Sequence, residues 1–238
     1  MNVLNIGSFK SIRETRQKFN NKQCSDSYLK QVVNLKQVAR LKQELLDQYN
    51  LSDKEFERKL ENDKFFRYAC AFSCSISSSR QGSKDEKHVI EMLSKHLKIS
   101  YKNFNMFQAK INDFVPIKIT GEVLKRKKAK ELGFGKSDTL KSFDFHGKIK
   151  NKDFLGFAKI CTDDGGHQDN VFEEAINLIE WLNVHAKEDM YYFLLLDFEQ
   201  NKLTTRTQVE LKPKILKNNV FLCNHTEFQK IVEDLYEK

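Results

Sequence analysis

A lysine stands inside an apolar run at "FLGFAKICT", residues 154–162. Phe157, Ala158, Ile160 and Cys161 mark a buried strand, and Lys159 interrupts it. A buried ammonium is costly unless it has a partner or a task. Upstream, "TLKSFDFHGKI" alternates like a strand and "KNKD" supplies a turn. With the turn centred near Asn151, an antiparallel hairpin sets Asp144 opposite Phe157. Asp144 and Ser142 then share the face of Phe157 and Lys159. An acid and a lysine thus converge near a sheet edge.

Such a set suits phosphodiester hydrolysis. Carboxylates hold Mg2+, a hard cation that takes oxygen ligands. The metal polarises the phosphate and lowers the pKa of its water. A lysine can orient or help deprotonate that water and stabilise the charge that develops.

These residues need elements to position them. From Ser83 onward the pattern reads helix, three strands, helix, two strands, helix. "SKDEKHVIEMLSKHL" gives the first helix, with a box-like Ser83 and Glu86, and the strands begin at "ISYKNFNMF". "FLGFAKICT" is the antiparallel partner of the strand before it. After "DDGGHQDN" a long apolar helix runs from Val171 to about His185. "MYYFLLLDF" has the composition of a strand buried on both faces, and "NVFLCN" is another strand. Thr226 is expected to cap the last helix, "EFQKIVEDLY". The expected class is α/β, a central mixed sheet flanked by helices. Residues 1–75 form an N-terminal helical region and residues 76–238 the core. In the first region "SYLKQVVNLKQVARLKQELLDQY" and "LSDKEFERKLENDKFFRYACAF" read as helices, the second capped by Ser52 with Glu55.

The totals agree with a folded, nucleic-acid-facing protein. A chain of 238 residues with 39% hydrophobic residues and 19 Phe can bury a core, which excludes global disorder. A net charge of +8 favours a polyanion partner, nucleic acid first. The 5 Cys include no CxxC pair, which points to reduced cysteines and a cytoplasmic protein. No signal h-region opens the chain and no apolar run is long enough to span a bilayer, so neither secretion nor a membrane is expected.

With these motifs in place, the chain resembles the PD-(D/E)XK nuclease superfamily, in particular type II restriction endonucleases. The resemblance covers roughly residues 80–200 and rests on "GKSDTLKSFDFHGK", "FLGFAK" and "TDDGGHQDN". It implies a restriction-endonuclease-like core, with Lys159 as the catalytic lysine of the second motif and Ala158 as its middle position. Phe157 stands where that motif carries an acid. The resemblance implies a relocated carboxylate near the start of the next helix: Glu173 by preference, Asp169 next, with Glu174 also on offer.

For the first motif's metal-binding Asp the resemblance offers Asp138, in the glycine-flanked "GKSD", slightly ahead of Asp144. They lie six residues apart, about 20 Å along a strand, so one metal cannot take both. Glu86 and Arg80 are further candidates from the first helix.

Each candidate also has a plainer reading. Lys159 could be an edge lysine that guards against aggregation. Glu86 could complete a capping box with Ser83, and Glu173 one with Asn170. Asp163 and Asp164 could simply turn the chain with Gly165 and Gly166. His167 and Gln168 could cap the helix or touch a phosphate. "LKRKKAK", with Lys125, Arg126, Lys127 and Lys128, is a solvated face or a set of DNA-phosphate contacts. His146 and His167 lack a third ligand at zinc spacing.

The resemblance implies a Mg2+-dependent, sequence-specific endonuclease on double-stranded DNA, working as a homodimer, with a cognate DNA methyltransferase encoded alongside. The rival readings are a repair or junction-processing nuclease, a catalytically degenerate DNA binder of the same fold, and a basic scaffold with no nucleic-acid role.

Overall fold

The computed structural model describes residues 50–75, 78–110, 113–161, 168–199 and 201–237, together with Phe9, Lys10, Ile12, Glu14, Thr15, Lys42, Gln43, Leu46 and Asp47. Apart from the last four of these, the helix expected over 27–49 lies outside the described residues, as do residues 163–167. Two compact units make up the chain, one built from Lys10–Asp85 and one mainly from Glu86–Lys238.

In the first unit, α1 spans Asp53–Asn62 and α2 spans Lys64–Ser75. The capping box expected at Ser52 is present. The Glu55 N–H donates to Ser52 Oγ, and the Ser52 N–H donates to the Glu55 carboxylate at 2.8 Å. The sequence read "LSDKEFERKLENDKFFRYACAF" as one helix, but it breaks at Asp63. There the Asp63 carboxylate accepts the N–H groups of Phe65 and Phe66 and so starts a second helix. Phe56 and Leu60 are buried, and Phe56 meets Phe66 edge to face at 5.4 Å.

Helix α3, Ser78–Ser100, enters the second unit at Glu86. It begins earlier than the expected start at Ser83, so Ser83 lies inside the helix rather than at its cap. Val89, Ile90, Leu93 and Leu97 are buried along one stripe. Then follow β1 (Asn105–Gln108), β2 (Val115–Pro116), β3 (Val123–Leu124), α4 (Arg126–Glu131), β4 (Phe145–Ile149), β5 (Lys152–Cys161) and α5 (Gln168–His185). The chain continues through β6 (Met190–Phe198), α6 (Asn201–Arg206), a π-helical turn (Thr207–Leu211), a 3-10 turn (Lys212–Lys214), β7 (Val220–Cys223) and α7 (His225–Glu237).

The fold is α/β, as expected, with a mixed five-stranded sheet in the order β1-β4-β5-β6-β7. β1 and β4, and β4 and β5, pair antiparallel; β5–β6 and β6–β7 pair parallel. The parallel pair needs a crossover, and α5 supplies it. β5 and β6 are buried on both faces over most of their length, which is why they read as continuous apolar runs. Phe157 and Leu155 of β5 pack with Phe172, Ala175, Ile179 and Leu182 of α5 and with Leu194 and Leu196 of β6.

The β4–β5 turn is tight, with Lys150 in the left-handed region at φ 53. A methyl at Gly156 would land on the Phe145 ring, so glycine there lets that ring lie across the strand. The last helix is capped by Asn224, not Thr226. Asn224 Oδ1 accepts the N–H groups of Thr226 and Glu227, and the Glu227 carboxylate accepts the Asn224 N–H at 2.9 Å.

Candidate active site

The hairpin register sets the site. Phe145 lies opposite Gly156, and the ladder holds one residue further, where the Asp144 N–H donates to the Gly156 carbonyl at 2.7 Å. Asp144 therefore stands opposite Phe157, as the turn position implied. Past that point β4 has no backbone to offer β5. The Asp144 side chain takes over, and its Oδ2 accepts the Ala158 N–H at 2.9 Å. The carboxylate is thereby fixed beside the strand that carries Lys159.

Lys159 reaches a second acid. Its Nζ donates to Glu86 Oε1 at 2.8 Å, with the two side chains only 15% and 14% exposed. Glu86 heads the buried stripe of α3, one turn before Val89 and Ile90, so its side chain points where theirs do. The Lys159 ammonium also lies 5.2 Å from the centre of the Phe157 ring. Just outside this core, Lys141 Nζ and Glu174 Oε1 pair at 3.5 Å, both partly exposed.

Burial and charge shift these groups. Burial pushes the Glu86 carboxyl up to about 7, against the pull of the Lys159 ammonium, and the nearby Asp144 adds to the rise. Burial likewise raises Asp144, opposed by Lys159 and by the Ala158 N–H. Burial alone would lower Lys159, but Glu86 and then Asp144 more than offset it and hold the ammonium above its ordinary value. Two buried carboxylates around one lysine leave an excess of negative charge.

That donor set fits a hard divalent cation. Mg2+ is commonly held by one or two carboxylates, with water and substrate phosphate completing its shell. Among the described residues no three His, Cys, Asp or Glu side chains form a ready-made cage.

The other candidates fall as follows. Asp138 is turned to its own loop, where its Oδ2 accepts the Gly135 N–H at 2.7 Å. Glu173 is exposed on α5, whereas Glu174 next to it is felt by both Asp144 and Lys159. Gln168 and Asp169 lie in the first turn of α5, their side chains outside the described residues, as is that of Arg80 in α3; His167 lies outside altogether. Lys125, Lys127 and Lys128 are exposed at and in α4, while the Arg126 guanidinium donates to Thr139 Oγ1 at 2.9 Å. His146 is packed by Phe114 and Phe107, and burial lowers its pKa.

Residues 86–223, more than half of the chain, match the family model described as Tsp45I type II restriction enzyme. The chain belongs to this family. The matched segment opens at Glu86 and contains Asp144 and Lys159. Neither a curated protein nor a solved structure matches the chain. Membership in the Tsp45I family makes DNA the partner and places the chain among restriction endonucleases. Among the described residues no helix is long and apolar enough to cross a membrane.

Lys141 had no motif to single it out, and its place beside the buried acids comes only from the path of residues 141–144 into β4.

Proposed function

We propose that the chain is a Mg2+-dependent, sequence-specific endonuclease that hydrolyses double-stranded DNA, built on a variant of the PD-(D/E)XK motif. The observation that carries this reading is the buried Glu86–Lys159 pair beside Asp144 on the hairpin strand. Asp144 and Glu86 would hold the metal, with Glu86 standing in for the acid that Phe157 displaces. Asp169 and Glu173 remain outer candidates from α5, and Asp138 the alternative first ligand. When bound, Mg2+ polarises the scissile phosphate and acidifies the attacking water.

In the metal-free chain burial would lower the pKa of Lys159, but Glu86 and Asp144 hold it above the ordinary value. Its ammonium would sit against a phosphate oxygen and stabilise the charge that grows there. Lys125, Arg126, Lys127 and Lys128, with Gln168 and His167 near the start of α5, would contact the DNA backbone. A symmetric homodimer would cut both strands of a palindromic site, with the N-terminal helices supplying the dimer contact or embracing the DNA. A cytoplasmic location and a methyltransferase encoded nearby complete the reading.

One observation favours a second reading, a DNA binder that has lost cleavage: Phe157 is fully buried in the place of the motif acid. A single assay separates the two. Large mixed linear DNA is incubated with the purified protein and Mg2+. Discrete fragments from wild type and none from Lys159→Ala support the nuclease. Tight binding without fragments supports the binder, and a branched substrate cut in preference to linear duplex points to a repair role.

A further inference from the structure

Two lysines adjoin the buried acids, and the mechanism above uses one. Lys159 is sequestered by Glu86. Lys141 lies at the rim, its side chain 46% exposed, and its partner Glu174 is 33% exposed. Lys141 is no remote surface charge. Its ammonium draws down the carboxyls of both Glu86 and Asp144, and Glu174 acts on Asp144 and Lys159 in the opposite sense. The backbone fixes its position: the Phe143 N–H donates to the Phe114 carbonyl at 2.9 Å and the Leu140 N–H to the Pro116 carbonyl at 3.0 Å.

The cluster holds three carboxylates, Glu86, Asp144 and Glu174, against two ammoniums, Lys141 and Lys159. Its formal charge is thus minus one. One divalent cation makes it plus one, the charge that a phosphodiester neutralises. Lys159 is the deeper of the two, set for the scissile phosphate, and Lys141 is the more exposed positive charge at the rim. Partly exposed pairs of this kind are weak and exchange readily.

We infer that Lys141 is a substrate-binding residue that leaves Glu174 to take a phosphate of the DNA strand entering the site, with Glu174 as the anion that holds it in place beforehand. This rests on the nuclease reading and adds to it a binding residue and its counter-ion. Glu174 competes with the phosphate for the same ammonium. Removing Lys141 and removing Glu174 therefore have opposite effects on DNA affinity, which a merely structural ion pair would not produce.

The test measures equilibrium binding, with Ca2+ in place of Mg2+, to a duplex spanning a cut made by the wild-type protein. Binding is read across a salt series for wild type, Lys141→Ala, Lys141→Arg and Glu174→Gln. Lys141→Ala should weaken binding about tenfold at low salt and reduce the slope of log K against log salt by about one. Lys141→Arg should restore both, and Glu174→Gln should bind several-fold tighter than wild type. Wild-type affinity and slope in a folded Lys141→Ala, or weaker binding by Glu174→Gln, overturns the inference and leaves the nuclease reading intact. A wild-type protein that cuts no DNA overturns both.

Discussion

Glu86 on α3 and Lys159 on β5, 73 residues apart in the chain, meet at 2.8 Å with both side chains almost closed to solvent. The contact joins the head of the first core helix to the end of a strand in the middle of the sheet. A buried pair of this sort is poor evidence for stability, because desolvating two ions costs about as much as their attraction returns. In the proposed mechanism the pair, beside Asp144, keeps a metal ligand and a phosphate donor together.

If Glu86 supplies the missing carboxylate, Glu86→Gln should cut Mg2+-dependent cleavage by about 10² or more. The glutamine still bonds Lys159 and fills the same space, so the melting temperature should not fall. Mg2+ titration by calorimetry should show weakened binding. Near-normal cleavage by a folded Glu86→Gln would leave Asp169 or Glu173 as the relocated acid.

The raised carboxyl of Glu86 makes a pH prediction for the metal-free protein. It titrates near 7 in the folded chain and near its ordinary 4.5 when unfolded. Between those values the folded form holds more protons. Stability from this group is therefore complete below about 4.5 and is lost as pH rises towards about 7, at up to about 1.4 kcal/mol per unit. Asp144, also raised, acts with the same sign. Urea unfolding across this range should show a fall that is shallower in Glu86→Gln. An identical slope in both proteins would refute the assignment.

Much of this arrangement was legible in the chain. β5 and β6 announce themselves because both faces are buried, and the "KNKD" turn fixes the register that puts Asp144 opposite Phe157. Glu86 was harder. Ser83 and Glu86 have the spacing of a capping box, so Glu86 also reads as a capping residue. The helix instead runs from Ser78, so Glu86 lies well inside it. The choice between Glu173 and Glu174 depends on the rotation of α5, which one residue changes by about 100°. The two-residue strands β2 and β3 and the π-helical turn at Thr207–Leu211 have no periodicity to detect.

Asp144 has two roles that substitution can separate. Its Oδ2 accepts the Ala158 N–H, and its charge is available to a cation. Asp144→Asn keeps an acceptor, so the fold should survive while Mg2+ binding and cleavage are lost. Asp144→Ala leaves that buried N–H without its partner and should cost a further 1–3 kcal/mol or so. Paired unfolding and metal titrations of the two variants check this. Equal stability of Asn and Ala would show that the bond to Ala158 contributes nothing.

Restoring the motif acid should fail. Phe157 is fully buried, packed with Leu155, Phe172 and Leu194, and its ring lies under the Lys159 ammonium. Removing a ring from such a core costs about 3–5 kcal/mol, and a carboxylate in the cavity adds its own desolvation. Phe157→Asp is therefore expected to unfold or to melt far below wild type, with no gain in cleavage. Circular-dichroism melts alongside the DNA assay test both halves. A stable Phe157→Asp that cuts faster than wild type would mean that this position is a ligand seat after all, and that Glu86 is not its replacement.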